Sequence, residues 1–183
     1  MTVKARIPNI LTIGRILSIP LIMYGILTQE PPSQNFMAIA LFLLAILTDF
    51  LDGYLARRWN VTSDFGRMID PIADKLLIAG CVIALAIYTQ GSWIILIPGI
   101  AIIFRDILVS GAREHAALSS RMMPPTQLAK WKTACEMLAL LLLITFAPIA
   151  ISPLFHVGLG LLWLAALLSV YTGTLYFRAA LKD

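Results

Sequence analysis

The sequence predicts an all-α integral membrane protein with six transmembrane helices and both termini in the cytoplasm. Of its 183 residues, 60% are hydrophobic and 13% are charged, whereas soluble globular chains carry about 25% charged residues. The apolar residues form long continuous runs and not the alternation that is typical of membrane β-strands. The connections between these runs alternate between those that contain Lys or Arg and those that contain neither.

Each of the six predicted spans is close to the length that a bilayer requires, which is about 20 apolar residues. We place the spans at about 9–28, 34–56, 66–88, 92–114, 128–147 and 153–180, within a single domain over 1–183. Proline and glycine interrupt the chain between spans, for example at Gly91. Pro71 is expected in the first turn of the third helix, where proline is tolerated.

The distribution of basic residues predicts the orientation of the spans. Connections 29–34, 89–92 and 147–153 contain no Lys or Arg. The other segments carry Lys4, Arg6, Arg57, Arg58, Arg67, Arg113, Arg121, Lys130, Lys132, Arg178 and Lys182. Since basic segments remain in the cytoplasm, we expect a multi-pass inner-membrane protein surrounded by membrane lipids. The net charge of +4 is explained by this topology, and no nucleic-acid partner is predicted.

Four aspartates lie where the second predicted span ends and the third begins, at the cytosolic face. They are Asp49, Asp52, Asp70 and Asp74. Within each pair the spacing is three or four residues, so each pair shares a helix face, and two antiparallel helices could bring all four together. Unpaired, the carboxylates would repel one another. Ligands of this kind suit Mg²⁺ or Mn²⁺; pairing of a single Asp with Lys or Arg is the alternative.

Small residues and an arginine accompany these aspartates. Gly53 and Ala56 remove bulk from the acidic face, which is understandable if a ligand approaches the backbone there. Arg57 is placed to reach a phosphate. Together these features predict a site for a nucleotide that contains a pyrophosphate. The alternative for Gly53 is close packing between helices.

The motif D-x2-D-G-x2-A-R-x8-G-x3-D-x3-D, which runs from Asp49 to Asp74 and includes Gly66, resembles the signature of the CDP-alcohol phosphatidyltransferases. The resemblance implies six helices, a homodimer, and transfer of a phosphatidyl-type group from CDP-diacylglycerol to an alcohol with release of CMP. It implies that Asp49, Asp52 and Asp70 bind metal and the CDP group, with Gly53, Ala56, Arg57 and Gly66 in the CDP-lipid site. Asp74 is implied as the general base and a metal ligand, beside two ions.

A second group of residues predicts the nature of the acceptor alcohol. The candidates are Arg113, Arg105, Arg15, Thr12, Lys75, Arg121, Lys130 and Lys132. Arg15 and Arg105 lie inside predicted spans, where a charge costs about 2.5–3.5 kcal/mol. This excess of cations favours an anionic acceptor such as a phosphorylated alcohol. Alternatively, several of them are topology signals or lipid contacts, and Asp106 and Glu136 are simple partners of the cations.

Residues along nearly the whole chain, including Asn9, Thr12 and Arg15, are similar to a bacterial subgroup of the family. This similarity implies sn-glycerol 3-phosphate as acceptor and phosphatidylglycerophosphate as product. The Arg105-Asp106 pair departs from that subgroup and is also similar to CDP-dependent cardiolipin synthases, whose acceptor is phosphatidylglycerol. An ion-coupled transporter is the alternative from another class, although the aspartates lie at one face and no inverted repeat is visible.

Overall fold

The computed structural model of the chain is helical throughout the part that it describes. It describes residues 3–28, 32–59, 64–118, 127–149 and 151–180, with the backbone alone at 3–8, 32–34, 52–57, 59, 64–65, 67, 115–118 and 179–180. The helices are α1 (Val3–Leu27), α2 (Pro32–Trp59), α3 (Asp64–Tyr88), α4 (Trp93–Leu118), α5 (Gln127–Phe146) and α6 (Pro153–Ala180), with a short 3-10 helix at Ala147–Ile149.

Five of these helices are long and apolar enough to cross a membrane. The apolar segments are Asn9–Leu27, Met68–Tyr88, Trp93–Glu114, Gln127–Ile149 and Pro153–Arg178. In α2 the described apolar segment, Asn35–Leu51, is shorter, and the side chains next to it at both ends lie outside the described residues. The helix itself has 28 residues, or about 42 Å at 1.5 Å per residue, so its length is sufficient for a sixth span. All-helical membrane architecture is therefore confirmed, and the exact span count stays a prediction.

Large apolar side chains cover the outward faces of the helices. Leu17, Phe36, Phe50, Trp93 and Leu167 are all more than three-fifths exposed. A soluble protein rarely exposes apolar surface on this scale, whereas lipid chains solvate it without cost. The surface is thus the one expected for helices surrounded by a bilayer.

The helices form two compact units of three, Met1–Gln90 and Gly91–Asp183. In the first unit α1 packs against both α2 and α3, around a core that includes Ile22, Phe42 and Leu77. Gly80 of α3 permits close approach to α1, since a Cβ there would lie 2.8 Å from Cγ2 of Ile19. Small residues at such crossings are typical of membrane helices. The single domain over 1–183 stays a prediction.

In the second unit α6 packs against both α4 and α5. Two glycines of α6 make this packing possible. A Cβ at Gly158 would lie 3.1 Å from Cβ of Leu142, and one at Gly173 would lie 2.8 Å from Cγ of Arg105. The face of α6 that contains Gly173 is therefore shaped to the stem of a charged side chain from α4.

The start of α3 differs from the sequence prediction. The helix begins at Asp64, so Pro71 lies in its interior and not in the first turn as expected. Because proline has no N–H, the carbonyl of residue 67 cannot accept the usual helical hydrogen bond from residue 71. At its acidic end α3 thus extends four residues beyond its apolar segment Met68–Tyr88, and Pro71 interrupts the hydrogen-bond ladder immediately after Asp70.

Candidate active site

Two polar side chains of α1 contact three aspartates of the first unit. Thr12 Oγ1 donates a hydrogen bond of 2.6 Å to Oδ1 of Asp70. Arg15 Nη1 donates a hydrogen bond of 2.8 Å to Oδ1 of Asp74 and forms an ion pair of 2.8 Å with Oδ1 of Asp49. Thr12 and Arg15 are three residues apart and share a helix face, so one face of α1 contacts carboxylates from both α2 and α3.

Burial differs sharply between the cation and its carboxylates. The Arg15 side chain is 0% exposed, whereas those of Asp49 and Asp74 are 47% and 40% exposed. A buried guanidinium without such partners would be strongly unfavourable, and removal of one partner of a buried pair typically costs about 3–5 kcal/mol. The two carboxylates therefore compensate the charge of Arg15 while part of each remains accessible to a ligand.

The local sequence explains why these groups converge. Asp70 and Asp74 are four residues apart and lie on one face of α3, and Gly66, buried one turn before Asp70, begins the same face. Three of the four predicted metal ligands thus contact the same face of α1. The side chains of Asp52, Gly53, Ala56 and Arg57 lie outside the described residues.

The described carboxylates fit the predicted Mg²⁺ or Mn²⁺ in chemistry, although they do not complete a site. All of the donors are carboxylate oxygens, the ligands that hard divalent ions prefer. A cationic group, the Arg15 guanidinium, already lies between Asp49 and Asp74, so this position accommodates positive charge. Among the described side chains, no three acidic, His or Cys residues are close enough to hold an ion; the fourth aspartate of the motif, Asp52, is not among them.

A second cluster of charges lies inside the second unit. Oδ1 of Asp106 accepts hydrogen bonds from Arg105 Nη1 at 2.9 Å and from Lys132 Nζ at 2.5 Å. Lys132 Nζ also lies 2.8 Å from Oε1 of Glu136, one turn later on α5. Lys132 and Glu136 are thus buried, Arg105 and Asp106 are partly buried beside them, and the predicted pairing of Asp106 and Glu136 with cations is confirmed. Arg105 and Lys132 are therefore not surplus positive charges.

One face of α6 receives both arginines of α4. Thr172 Oγ1 accepts a hydrogen bond of 2.7 Å from Arg105 Nη2, and Gly173 leaves room for the stem of the same side chain. The Arg113 guanidinium lies over the ring of Tyr176, with Cζ 4.6 Å from the centroid, and its Nη2 donates a hydrogen bond of 2.9 Å to the Tyr176 hydroxyl. In the described part of the chain, no carboxylate pairs with Arg113.

The predicted acceptor residues thus fall into separate groups. Thr12 and Arg15 contact aspartates in the first unit, and Arg105, Arg113 and Lys132 lie in the second. Lys75 is half-buried after Asp74 and Lys130 is exposed at the start of α5. The described contacts join neither of these lysines to either cluster, and Arg121 lies outside the described residues.

Sequence reasoning missed the contribution of α6. Ser169, Thr172, Gly173 and Tyr176 are spaced by three, four and seven residues and are all buried. This stripe of polar and small residues within an apolar span was the available signal. The same spacing occurs in stripes that only pack against other helices. Because the spacing does not show that arginines contact this stripe, it could not assign the stripe to a site.

Comparison with known proteins agrees with the motif and the helical fold. The family model described as CDP-alcohol phosphatidyltransferase matches residues 5–171. A relative from Rickettsia bellii, named CDP-diacylglycerol–glycerol-3-phosphate 3-phosphatidyltransferase, is 43% identical over 100% of this chain and 99% of its own length. Cardiolipin synthase (CMP-forming) from Oryza sativa is 34% identical over 94% of this chain and 56% of its own length.

A solved structure shows the same fold. Phosphatidylinositol phosphate synthase of Mycobacterium tuberculosis, crystallised with CDP-DAG bound, aligns with a TM-score of 0.57 and 21% identity over 96% of this chain and 90% of that protein. At this identity the likeness concerns the fold alone. The family match, in contrast, extends over more than nine-tenths of the sequence and includes every position of the aspartate motif. The chain belongs to the CDP-alcohol phosphatidyltransferase family.

Proposed function

We propose that this protein transfers the phosphatidyl group of CDP-diacylglycerol to sn-glycerol 3-phosphate, giving phosphatidylglycerophosphate and CMP. The observation that carries the proposal is the convergence of Asp49, Asp70 and Asp74 on one face of α1. The 43% identity to a full-length relative named for this reaction supports the choice of substrates. The proposed location is the inner membrane, with the site at the cytosolic face and the chain as a homodimer.

The motif aspartates form the nucleotide end of the proposed site. Two ions of Mg²⁺ or Mn²⁺ would be held by the four carboxylates of Asp49, Asp52, Asp70 and Asp74. When bound, such ions stabilise negative charge on attacking and leaving oxygens. Gly53, Ala56 and Gly66 leave space for the CDP group, and Arg57 binds its phosphates.

Asp74 is the proposed general base. Its carboxylate takes the proton from the acceptor hydroxyl, whose oxygen then attacks the β-phosphorus of CDP-diacylglycerol. The new O–P bond forms as the bond from that phosphorus to the bridging oxygen breaks, and CMP leaves with the electron pair. The 40% exposure of the Asp74 side chain supports this role because a base must reach its substrate.

Arg113 is the best-supported residue for the acceptor phosphate. Its guanidinium is oriented by the ring and hydroxyl of Tyr176, and a guanidinium matches the geometry of phosphate oxygens. Arg105 and Lys132 stay in the predicted acceptor set, but Asp106 and Glu136 already compensate their charges. Thr12, Arg15, Lys75, Arg121 and Lys130 remain in the predicted acceptor set.

The test uses purified protein in detergent with CDP-diacylglycerol and Mg²⁺ or Mn²⁺. We expect release of CMP on addition of sn-glycerol 3-phosphate, and loss of release when EDTA is added. A second candidate function, cardiolipin synthesis, is favoured by the Arg105-Asp106 pair and by the 34% identical rice relative. CMP release with phosphatidylglycerol but not with glycerol 3-phosphate would identify the protein as a cardiolipin synthase. Absence of CMP release with both acceptors would contradict both functions.

A further inference from the structure

We propose that Arg15 is a built-in counter-cation of the metal-binding aspartates. In the metal-free protein its guanidinium compensates part of the charge of Asp49 and Asp74 and holds α2 and α3 to α1. It thereby weakens the binding of divalent cations to the same carboxylates. This inference rests on the proposed function, because it assumes that the motif aspartates bind the ions of a phosphatidyl transfer.

The contacts of Arg15 are those of an internal cation. A single nitrogen, Nη1, lies 2.8 Å from Oδ1 of Asp49 on α2 and 2.8 Å from Oδ1 of Asp74 on α3. The side chain is fully buried, whereas both carboxylates are two-fifths or more exposed. Arg15 therefore contacts the carboxylates from the protein interior, and a hydrated ion would contact them from their exposed side.

Thr12, on the same face of α1 as Arg15, contacts an aspartate without carrying a charge. It binds Asp70 through a hydroxyl hydrogen bond of 2.6 Å and therefore contributes no charge. Of the three described aspartates of the motif, Asp49 and Asp74 thus share the positive charge of Arg15, and Asp70 receives a neutral hydrogen bond from Thr12. Among the described side chains of α1, residues 9–27, Arg15 is the one that is charged, so an effect of this segment on metal affinity through charge must come from Arg15.

Thermodynamic linkage fixes the sign of the effect. A group that stabilises the metal-free form more than the loaded form weakens metal binding by the difference. Arg15 attracts the carboxylates in both forms, but in the loaded form it also lies close to divalent cations, which repel it. Its removal should therefore tighten metal binding and destabilise the metal-free protein more than the loaded protein.

The experiment measures Mn²⁺ binding to purified protein in detergent, from the EPR signal of free Mn²⁺, without lipid substrates. For Arg15→Gln we expect a dissociation constant lower by about fivefold or more, within the range of ordinary coupling between sites. Arg15→Lys keeps the charge but loses the planar guanidinium, so we expect a smaller decrease. The matched control is Ser18→Ala, one turn away on α1, where only a hydrogen bond to the Arg15 carbonyl is lost and Mn²⁺ binding should not change.

A melting-temperature measurement adds a second readout. For Arg15→Gln the melting temperature should fall in EDTA and fall less in saturating Mn²⁺. If Arg15→Gln does not yield folded protein, Arg15→Lys carries the test in the same direction.

Unchanged Mn²⁺ affinity together with a raised KM for glycerol 3-phosphate would overturn the proposal and make Arg15 an acceptor ligand. Weaker Mn²⁺ binding would overturn it in favour of a purely scaffolding role. CMP release by the wild-type protein reports the proposed function separately, because the Mn²⁺ titration requires no turnover.

Discussion

Arg15 and Lys132 are buried cations, and each contacts the carboxylates of two residues. Arg15 bridges two helices of the first unit, and its aspartates are substantially exposed. Lys132 contacts Asp106 and Glu136, which are 14% and 1% exposed. The carboxylates that compensate Arg15 therefore remain accessible to a ligand. Those that compensate Lys132 are largely buried and thus shielded from one.

Substitution of Asp74 should separate chemistry from substrate binding. Asp74→Asn removes the proposed base, and general-base catalysis typically contributes about 10²–10⁴-fold, so we expect CMP release to fall by at least about 10²-fold. CDP-diacylglycerol binding should be largely retained because Asp49, Asp52 and Asp70 remain. The measurements are initial rates of CMP release and equilibrium binding of the CDP-lipid. Activity near the wild-type level would remove Asp74 as the base.

Substitution of Arg113 should act on the acceptor. Arg113→Ala loses the guanidinium that Tyr176 orients, and a charged hydrogen bond is worth about 1.5–3 kcal/mol, so we expect KM for glycerol 3-phosphate to rise about tenfold or more. KM for CDP-diacylglycerol should change much less. The matched control, Tyr176→Phe, keeps the ring beneath the guanidinium and loses one hydrogen bond, so its effect should be smaller. Equal effects of Arg113→Ala on both substrates would exclude an acceptor role.

Each unit has one central helix, α1 or α6, against which its two other helices pack. In both units the central helix provides polar contacts to charged residues: Thr12 and Arg15 from α1, and Thr172 and Tyr176 from α6. Both also have a close glycine contact with a neighbouring helix. Close packing and polar contacts thus occur along the same helices, so packing defects there should affect function as well as stability.

The contact between α1 and α3 can be tested at Gly80. Gly80→Ala places a methyl group 2.8 Å from Cγ2 of Ile19 and 3.2 Å from Sδ of Met23. Overpacking of this kind typically costs about 1–3 kcal/mol, so the melting temperature in detergent should fall. The matched control is Gly14→Ala in α1, where a Cβ would meet nothing within 4 Å. An equal change in both variants would mean that the Gly80 contact is not a close one.

The buried pair on α5 gives a second test at this scale. Lys132→Met leaves Glu136 buried without its cation, and loss of one partner of a buried pair typically costs about 3–5 kcal/mol. We expect a marked fall in melting temperature. The double variant Lys132→Met/Glu136→Leu removes both charges and leaves Asp106 paired with Arg105, so it should recover most of the loss. If the double variant is no more stable than the single one, the Lys132–Glu136 pair is not the source of the effect.

Across the whole molecule, hydrophobic runs predicted the helices well, and the motif spacing placed Asp70 and Asp74 on one helix face. Membrane spans need long apolar segments, which are visible in any sequence, and Asp70 and Asp74 at spacing four must share a face. The role of α1 could not be predicted in the same way. Arg15 looks identical in sequence whether it contacts an acceptor phosphate or two aspartates, because periodicity does not state which helices are neighbours. The stripe on α6 was missed for the same reason.

Orientation in the membrane is the property of the whole molecule that the basic residues predict, and a thiol-labelling experiment can test it. The α3–α4 turn contains no Lys or Arg, and Gln90 in it is exposed; Glu114 is exposed at the opposite end of the apolar segment Trp93–Glu114. Because basic connections remain in the cytoplasm, Gln90→Cys should react with a membrane-impermeant maleimide in intact spheroplasts, and Glu114→Cys only in inverted vesicles.

The native thiols provide the background for this measurement. Cys81 is buried and Cys135 is partly buried, so Cys135→Ser in both variants removes the thiol that could contribute signal. Labelling of Glu114→Cys in spheroplasts and of Gln90→Cys in inverted vesicles would reverse the predicted topology. The aspartates would then face away from the cytoplasm, so the labelling pattern tests the location of the proposed reaction as well as the direction of the helices.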